Sequence, residues 1–188
     1  DLMVNKFGVS DRWAGLIPSI VPFGTIFLTP FFGGIYDKKG KGASIMILGA
    51  LLLVFVHVIY WIPGITNMYL AFINAIILGV GFSLVPSAMW PSVPKIIPEK
   101  QIGSAFAIIF WIQNFGLWGI PLLVGIVLEK TNPGVAEQIT AGVDVKYDYQ
   151  TTWLIFIGLT ILAVVVAFML KAEDKKKGYG LALPNIEK

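Results

Sequence analysis

Long apolar runs separated by short polar ones set the pattern of this chain. Ala14 to Tyr36 carries no ionisable group apart from the tyrosine phenol, and the 52 residues from Ala43 to Pro94 add only His57, Tyr60 and Tyr69. Ten residues, Gly33 to Gly42, join these runs with one acid, three lysines and four glycines. An apolar run of roughly 20 residues is long enough to cross a bilayer as a helix. The pattern therefore predicts five spans, at about 13–36, 43–62, 68–93, 102–128 and 151–170, in an all-α polytopic membrane helical bundle. Pro18, Pro22 and Pro30 interrupt the first span, which predicts a bent helix packed against others that re-satisfy the freed carbonyls. Pro63-Gly64 turns the chain sharply, so the second and third spans are expected as antiparallel neighbours.

The intervening polar stretches read as loops. Asp1 to Arg12 has no initiator methionine and is expected to be a connecting loop entered part-way, which marks the chain as a fragment. Lys95–Gln101 is a short charged loop, Glu129–Gln150 a longer polar one, and 171–188 a cytoplasmic polar tail. Alternating the spans across a bilayer puts ten cations on one side, in Lys38, Lys39, Lys41, Lys95, Lys100 and the tail lysines through Lys188. Four fall on the other side: Lys6, Arg12, Lys130 and Lys146. The basic side is the cytoplasmic one by the positive-inside rule. A charged content of 13%, against about 25% in soluble domains, gives too little polar surface to cover a soluble fold. The lysines sit in separate loops, so the net charge of +3 is no sign of nucleic-acid binding.

No catalytic constellation, metal-ligand cluster or cofactor motif is visible. The chain has one histidine and no cysteine, and no predicted span holds an aspartate, glutamate, lysine or arginine. Intramembrane charges usually mark ion or proton pathways, so any coupling charge is expected elsewhere. His57 falls in the outer part of the second span beside Tyr60 and Trp61 and reads as an interfacial or hydrogen-bonded residue. In the fourth span a turn of ~100° per residue puts Ser104, Ala107, Trp111, Asn114 and Trp118 on one face, with Gln113 nearly opposite. An asparagine between two tryptophans suits a ligand-pocket wall, with amide and indole donors set in apolar area. Interhelix packing through the same asparagine is the other reading. In the third span Ser83, Ser87 and Trp90 form a similar stripe beside Pro86, either lining a substrate path or, for the serines, bonding back to their own helix. Gly79, Gly81, Gly116, Gly119 and Gly125 are expected to permit close helix approach.

Gly33-x-x-x-Asp37-Lys38-x-Gly40-Lys41 resembles the signature loop of the major facilitator superfamily. That loop reads glycine, three residues, aspartate, a basic residue, any residue, glycine and two basic residues, and it joins the second and third helices of each six-helix half. Gly42 departs from the final basic position. The resemblance implies a gate built from Gly33, Asp37, Lys38, Gly40 and Lys41. In it the glycines let helix ends approach and Asp37 meets the positive N-terminal end of a helix from the other half. Ser83 to Ala107, followed by Trp111-Ile-Gln-Asn-Phe-Gly, is similar to the C-terminal half of the branch that includes the lysosomal dipeptide transporter of animals and its bacterial relatives. By that register the five spans are helices eight to twelve, and residues 1–170 are a partial C-terminal half-domain lacking one helix. Helices eight, ten and eleven of the family line the central cavity, which favours Trp90, Trp111 and Asn114 over His57.

The expected function is alternating-access transport of a small polar solute, with a dipeptide or related peptide as the branch implies. The expected partners are the lipid bilayer, the solute and the missing N-terminal half of the same chain. The expected place is a bacterial inner (plasma) membrane with the C-terminus cytoplasmic. The substrate-binding set is Asn114, Trp111, Trp118, Trp90, Ser87 and Ser83. A non-transporting receptor or assembly subunit is the alternative, and a membrane-embedded enzyme is disfavoured by the lack of paired acids, metal ligands or a Ser/His pair.

Overall fold

A computed structural model of the chain describes residues 2–186, so Asp1 and the tail cation Lys188 lie outside the described residues. Its helices, in chain order, are α1 (Leu2–Phe7), α2 (Asp11–Ala14), α3 (Leu16–Lys39), α4 (Gly42–Trp61), α5 (Met68–Ile96), α6 (Ile102–Thr131), α7 (Val135–Thr140) and α8 (Gln150–Lys177), with a 3₁₀ turn at Glu99–Gln101 before α6. Five stretches are long and apolar enough to cross a membrane: Asp11–Lys39, Gly42–Trp61, Met68–Ile96, Glu99–Thr131 and Gln150–Lys177. All five predicted spans are therefore present.

Their ends differ from the apolar boundaries, because a helix can continue past the point where its side chains turn polar. The first span starts in α2, breaks at Gly15 and runs on to Lys39 with Pro22 and Pro30 inside α3. The expected loop at residues 1–12 is largely helical: Met3 and Phe7 of α1 are buried against Tyr60, Ala71 and Ala75. The stretch Glu129–Gln150 holds α7, and the first part of the expected tail, Lys171 to Lys177, belongs to α8. Asn67 caps the start of α5, its side-chain oxygen accepting from the Tyr69 N–H at 2.8 Å.

The packed helices follow the order α3, α5, α4, α8, each against the next. As expected, α4 and α5 are neighbours, and small residues set their separation. A Cβ on Gly49 would lie 2.9 Å from Val85 Cγ2 and 3.0 Å from the Gly81 carbonyl oxygen; one on Gly81 would lie 3.1 Å from the Gly49 oxygen. The backbones touch there because neither residue has a side chain. Asn74, buried on α5, donates to the Val56 carbonyl of α4 at 3.1 Å and ties the pair near its other end. Gly116, Gly119 and Gly125 behave differently from expectation: a Cβ on any of them meets nothing within 4 Å among the described residues. They lie on α6, which contributes no buried residue.

Gly49→Val is expected to lower stability by about 1–3 kcal/mol, because the added methyls have no room between α4 and α5. Gly158→Ala, where a Cβ meets nothing within 4 Å, should leave it unchanged. Thermal unfolding in detergent distinguishes the two; equal midpoints for both variants contradict the contact.

Candidate functional site

Two groups of predicted residues stand at different places in the bundle. The first is the α3–α4 connection. Helix α3 ends at Gly40, whose φ of 67° and ψ of −139° are a conformation that side chains disfavour, and whose N–H donates to the Tyr36 carbonyl at 2.7 Å. Lys41 follows with φ 63°, left-handed for a residue with a side chain, a state that costs roughly 1–2 kcal/mol. The chain reverses in these two residues and α4 begins.

An α-helix leaves its first N–H groups without partners inside the helix. At α4 they are met by a segment more than 130 residues away in sequence. The Lys41 N–H donates to the Ala182 carbonyl at 3.1 Å, and the Gly42 N–H to the Leu181 carbonyl at 2.8 Å. Leu181 is fully buried, a burial worth about 1.5–3 kcal/mol. Lys95, at the end of α5, donates to the Gly180 and Leu183 carbonyls, both at 3.1 Å, and its ammonium lies 5.2 Å from the centre of the Tyr36 ring. Asp37 accepts at its main-chain oxygen from Asn185 at 2.9 Å and Ile186 at 3.1 Å, and at Oδ1 from the Asn185 side-chain amide at 2.7 Å. The ends of α3, α4 and α5 and the residues after α8 thus meet at one end of the bundle, as the alternation of spans requires.

The glycines of this loop divide by role. Gly33 meets nothing within 4 Å of an added Cβ among the described residues. A Cβ on Gly40 would lie 2.3 Å from the Ala182 carbonyl oxygen. One on Gly42 would lie 2.7 Å from the Tyr36 ring and 3.2 Å from Ser92 Oγ. Tyr36 is fully buried, with its hydroxyl 3.3 Å from Ser92 Oγ. Glycine replaces the basic residue of the signature at position 42 because the Tyr36 ring occupies the space of its side chain. Lys38, Lys39 and Lys41 are exposed.

The second group is on α6 and α5. Trp111 and Trp118 are each 66% exposed, and Asn114, also exposed, donates to the Phe110 carbonyl of its own helix at 2.8 Å. Phe115 packs between the two tryptophans, with ring centres 5.3 Å and 5.8 Å away. Gln113 is exposed too, so among the described residues neither amide enters a neighbouring helix. Trp90 bridges the helices, stacking on Phe110 at 5.2 Å and tilted against Phe106 at 5.8 Å. Ser83 and Ser87 are buried, and their hydroxyls donate to the Gly79 and Leu84 carbonyls at 2.7 Å and 2.8 Å. This is the back-bonded arrangement, away from the open face of α6.

His57 stacks on Trp153 and Phe156 of α8, with ring centres 5.8 Å and 5.6 Å apart. At that far end Lys6 donates to the Tyr60 carbonyl and, at 2.8 Å, to the Ile62 carbonyl, where the negative end of α4 favours a cation. Burial pushes the Lys6 ammonium pKa down. A cavity of about 220 Å³ opens beside it, between Trp61, Asp148 and Trp153, and none of the predicted site residues line it.

Asn185, Leu181 and Lys95 form the contacts that sequence reasoning missed. The trace they leave is faint: paired Gly178 and Gly180 after a lysine run, then two leucines in a polar stretch.

A family model described as Major Facilitator Superfamily matches residues 1–183. The lysosomal dipeptide transporter MFSD1 of Homo sapiens is 33% identical over 126 residues, which cover 67% of this chain and 26% of that protein. The protein of the same name from Gallus gallus is 31% identical over 130 residues, 67% of this chain and 28% of that one. The inner membrane transport protein YdiN of Escherichia coli (strain K12) is 28% identical over 126 residues, 67% of this chain and 29% of that protein. The chain spans about a quarter of the length of the curated relatives it matches. No solved structure matches it.

Restoring a basic residue with Gly42→Lys is expected to destabilise the protein by about 1–3 kcal/mol through collision with Tyr36. Adding Tyr36→Ala should recover part of that loss, since the two changes share one space. Thermal unfolding of the single and double variants in detergent checks this, and strictly additive losses would rule out the steric account.

Proposed function

The chain belongs to the major facilitator superfamily and is an integral multi-pass membrane protein, and on that premise we propose that its five spans are helices eight to twelve of an alternating-access secondary transporter. They work together with an N-terminal six-helix half. The solute is small and polar, and a dipeptide or related peptide is the class that the names of the animal relatives support. The membrane is a bacterial inner membrane, with the lysine-rich end that holds the α3–α4 loop facing the cytoplasm.

One observation carries the placement of the substrate path: α6 is apolar along its length, buries nothing, and presents two tryptophans and an asparagine on an uncovered surface. The Asn114 side chain donates one bond to its own helix, and in lipid its carbonyl oxygen and second amide hydrogen would be left without partners at mid-span, where an unpaired polar group costs several kcal/mol. Facing a cavity shared with another half, Asn114 orients the solute's polar groups while Trp111, Trp118 and Trp90 supply indole donors and apolar area. Ser83 and Ser87 take no part, because their hydroxyls are bonded within α5 and buried. Gly33, Asp37, Lys38, Gly40 and Lys41 form a cytoplasmic gate, in which the Asp37 carboxylate exchanges partners as the halves rock.

The full-length protein in proteoliposomes should take up dipeptides; if no candidate solute moves, the transporter reading is lost. Asn114→Ala is expected to raise KM about tenfold, the equivalent of one lost hydrogen bond, with Gln113→Ala close to unaltered. Equal effects of the two would place the cavity on a different face of α6. Asp37→Asn should shift the population away from the outward-facing state, measured by cysteine accessibility from both sides of the membrane, and unchanged accessibility would remove Asp37 from the gate.

A further inference from the structure

The residues that follow α8 do more than end a helix. We propose that residues 180–186 are an internal ligand of the α3–α4 loop, a latch that docks on it and must leave before the gate can change state. The site is made of three elements: the N–H groups of Lys41 and Gly42 at the positive end of α4, the ammonium of Lys95, and both oxygen-bearing groups of Asp37. The ligand is a turn, closed by the Leu183 N–H on the Gly180 carbonyl at 3.1 Å, that offers the carbonyls of Gly180, Leu181, Ala182 and Leu183 to those donors, the main-chain N–H groups of Asn185 and Ile186 to the Asp37 main-chain oxygen, and the Asn185 side-chain amide to the Asp37 carboxylate.

The pairing is complementary in sign as well as shape. Peptide carbonyls are partial negative charges set against a helix N-terminus and a lysine, and the Asn185 side-chain amide is set against the Asp37 carboxylate, while the Asn185 and Ile186 N–H groups take its main-chain oxygen. Gly40 has no side chain, so the Ala182 carbonyl can approach to a distance that any Cβ would forbid. Leu181 is the one buried apolar anchor of the segment. Its own N–H is held by Asp174 Oδ1 at 3.0 Å, which fixes the exit of the chain from α8.

The attachment also has the features of something that can detach. Gly178 and Gly180, where the docked stretch begins, take φ of 69° and 81°, turns that glycine adopts without strain. Beyond Leu181, the residues from Ala182 to Ile186 are exposed. The gating consequence rests on the proposed role of Asp37. Asn185 occupies Oδ1, and two N–H groups occupy the main-chain oxygen, so a helix end from another half competes with the segment for Asp37 and displaces it. The latch thereby restrains the loop and slows transport.

Hydrogen–deuterium exchange on the full-length protein reads the docking directly, through the Lys41 and Gly42 amides. Leu181→Asp should raise their exchange by roughly tenfold, and Asn185→Ala by less. Unchanged protection in both variants overturns the docked segment. Dipeptide uptake by the same two variants should be faster than by the unaltered protein, and equal or slower uptake overturns the restraint. If the unaltered protein moves no solute, transport and the restraint both fall, and the exchange rates still decide the docking.

Discussion

A helix inside a bilayer satisfies its own backbone everywhere except at its ends, where the first N–H groups and the last carbonyls have no partner within the helix. This chain has no charged side chain within its five predicted spans, and most of its long-range polar contacts lie at the helix ends. At one end, residues 180–186 and Lys95 complete the start of α4 and the end of α3. At the other, Lys6 takes the last carbonyls of α4, and Asn132 holds the main chain of Asp148 just ahead of α8. Between the two, Asn74 to the Val56 carbonyl is a rare polar tie across helices. The rest of the helix-to-helix contact is small-residue packing, and it is tight only where glycine permits, as at Gly49 and Gly81.

That division of labour explains the uneven bundle. Helices α3, α5, α4 and α8 form a packed layer, while α6 adds nothing to the interior and exposes its largest side chains. Its aromatic residues pack on one another and on Trp90. A surface of that kind, with an amide between indoles, has the composition of a cavity wall. A packed layer that carries the α3–α4 loop and one lightly held helix with an open aromatic face are consistent with the proposed alternating-access mechanism.

Much of this was legible in the chain. Five spans followed from apolar length, and their alternation predicted that the Gly33–Gly42 loop, Lys95 and the stretch after the last span would meet at one end, as they do. The antiparallel contact of the second and third spans followed from Pro63-Gly64. The serine stripe was ambiguous because a hydroxyl that bends its own helix and one that lines a path have the same spacing; Ser83 and Ser87 are buried and bonded to carbonyls of their own helix. Apolar length gave poor helix ends, since Lys171 to Lys177 continue α8 without any apolar signal.

Sequence by itself determined that the chain is a membrane bundle and which family loop it carries, because those depend on local hydropathy, spacing and motif. Only the tertiary structure decided what the loop is bonded to. Position 42 is glycine because a ring from α3 fills its space, and Asp37 is engaged by Asn185 because the chain returns to it 148 residues later. No periodicity records such a contact: its donors and acceptors are mostly backbone atoms, which every residue shares, so the pairing exists only once the helices have set their ends side by side.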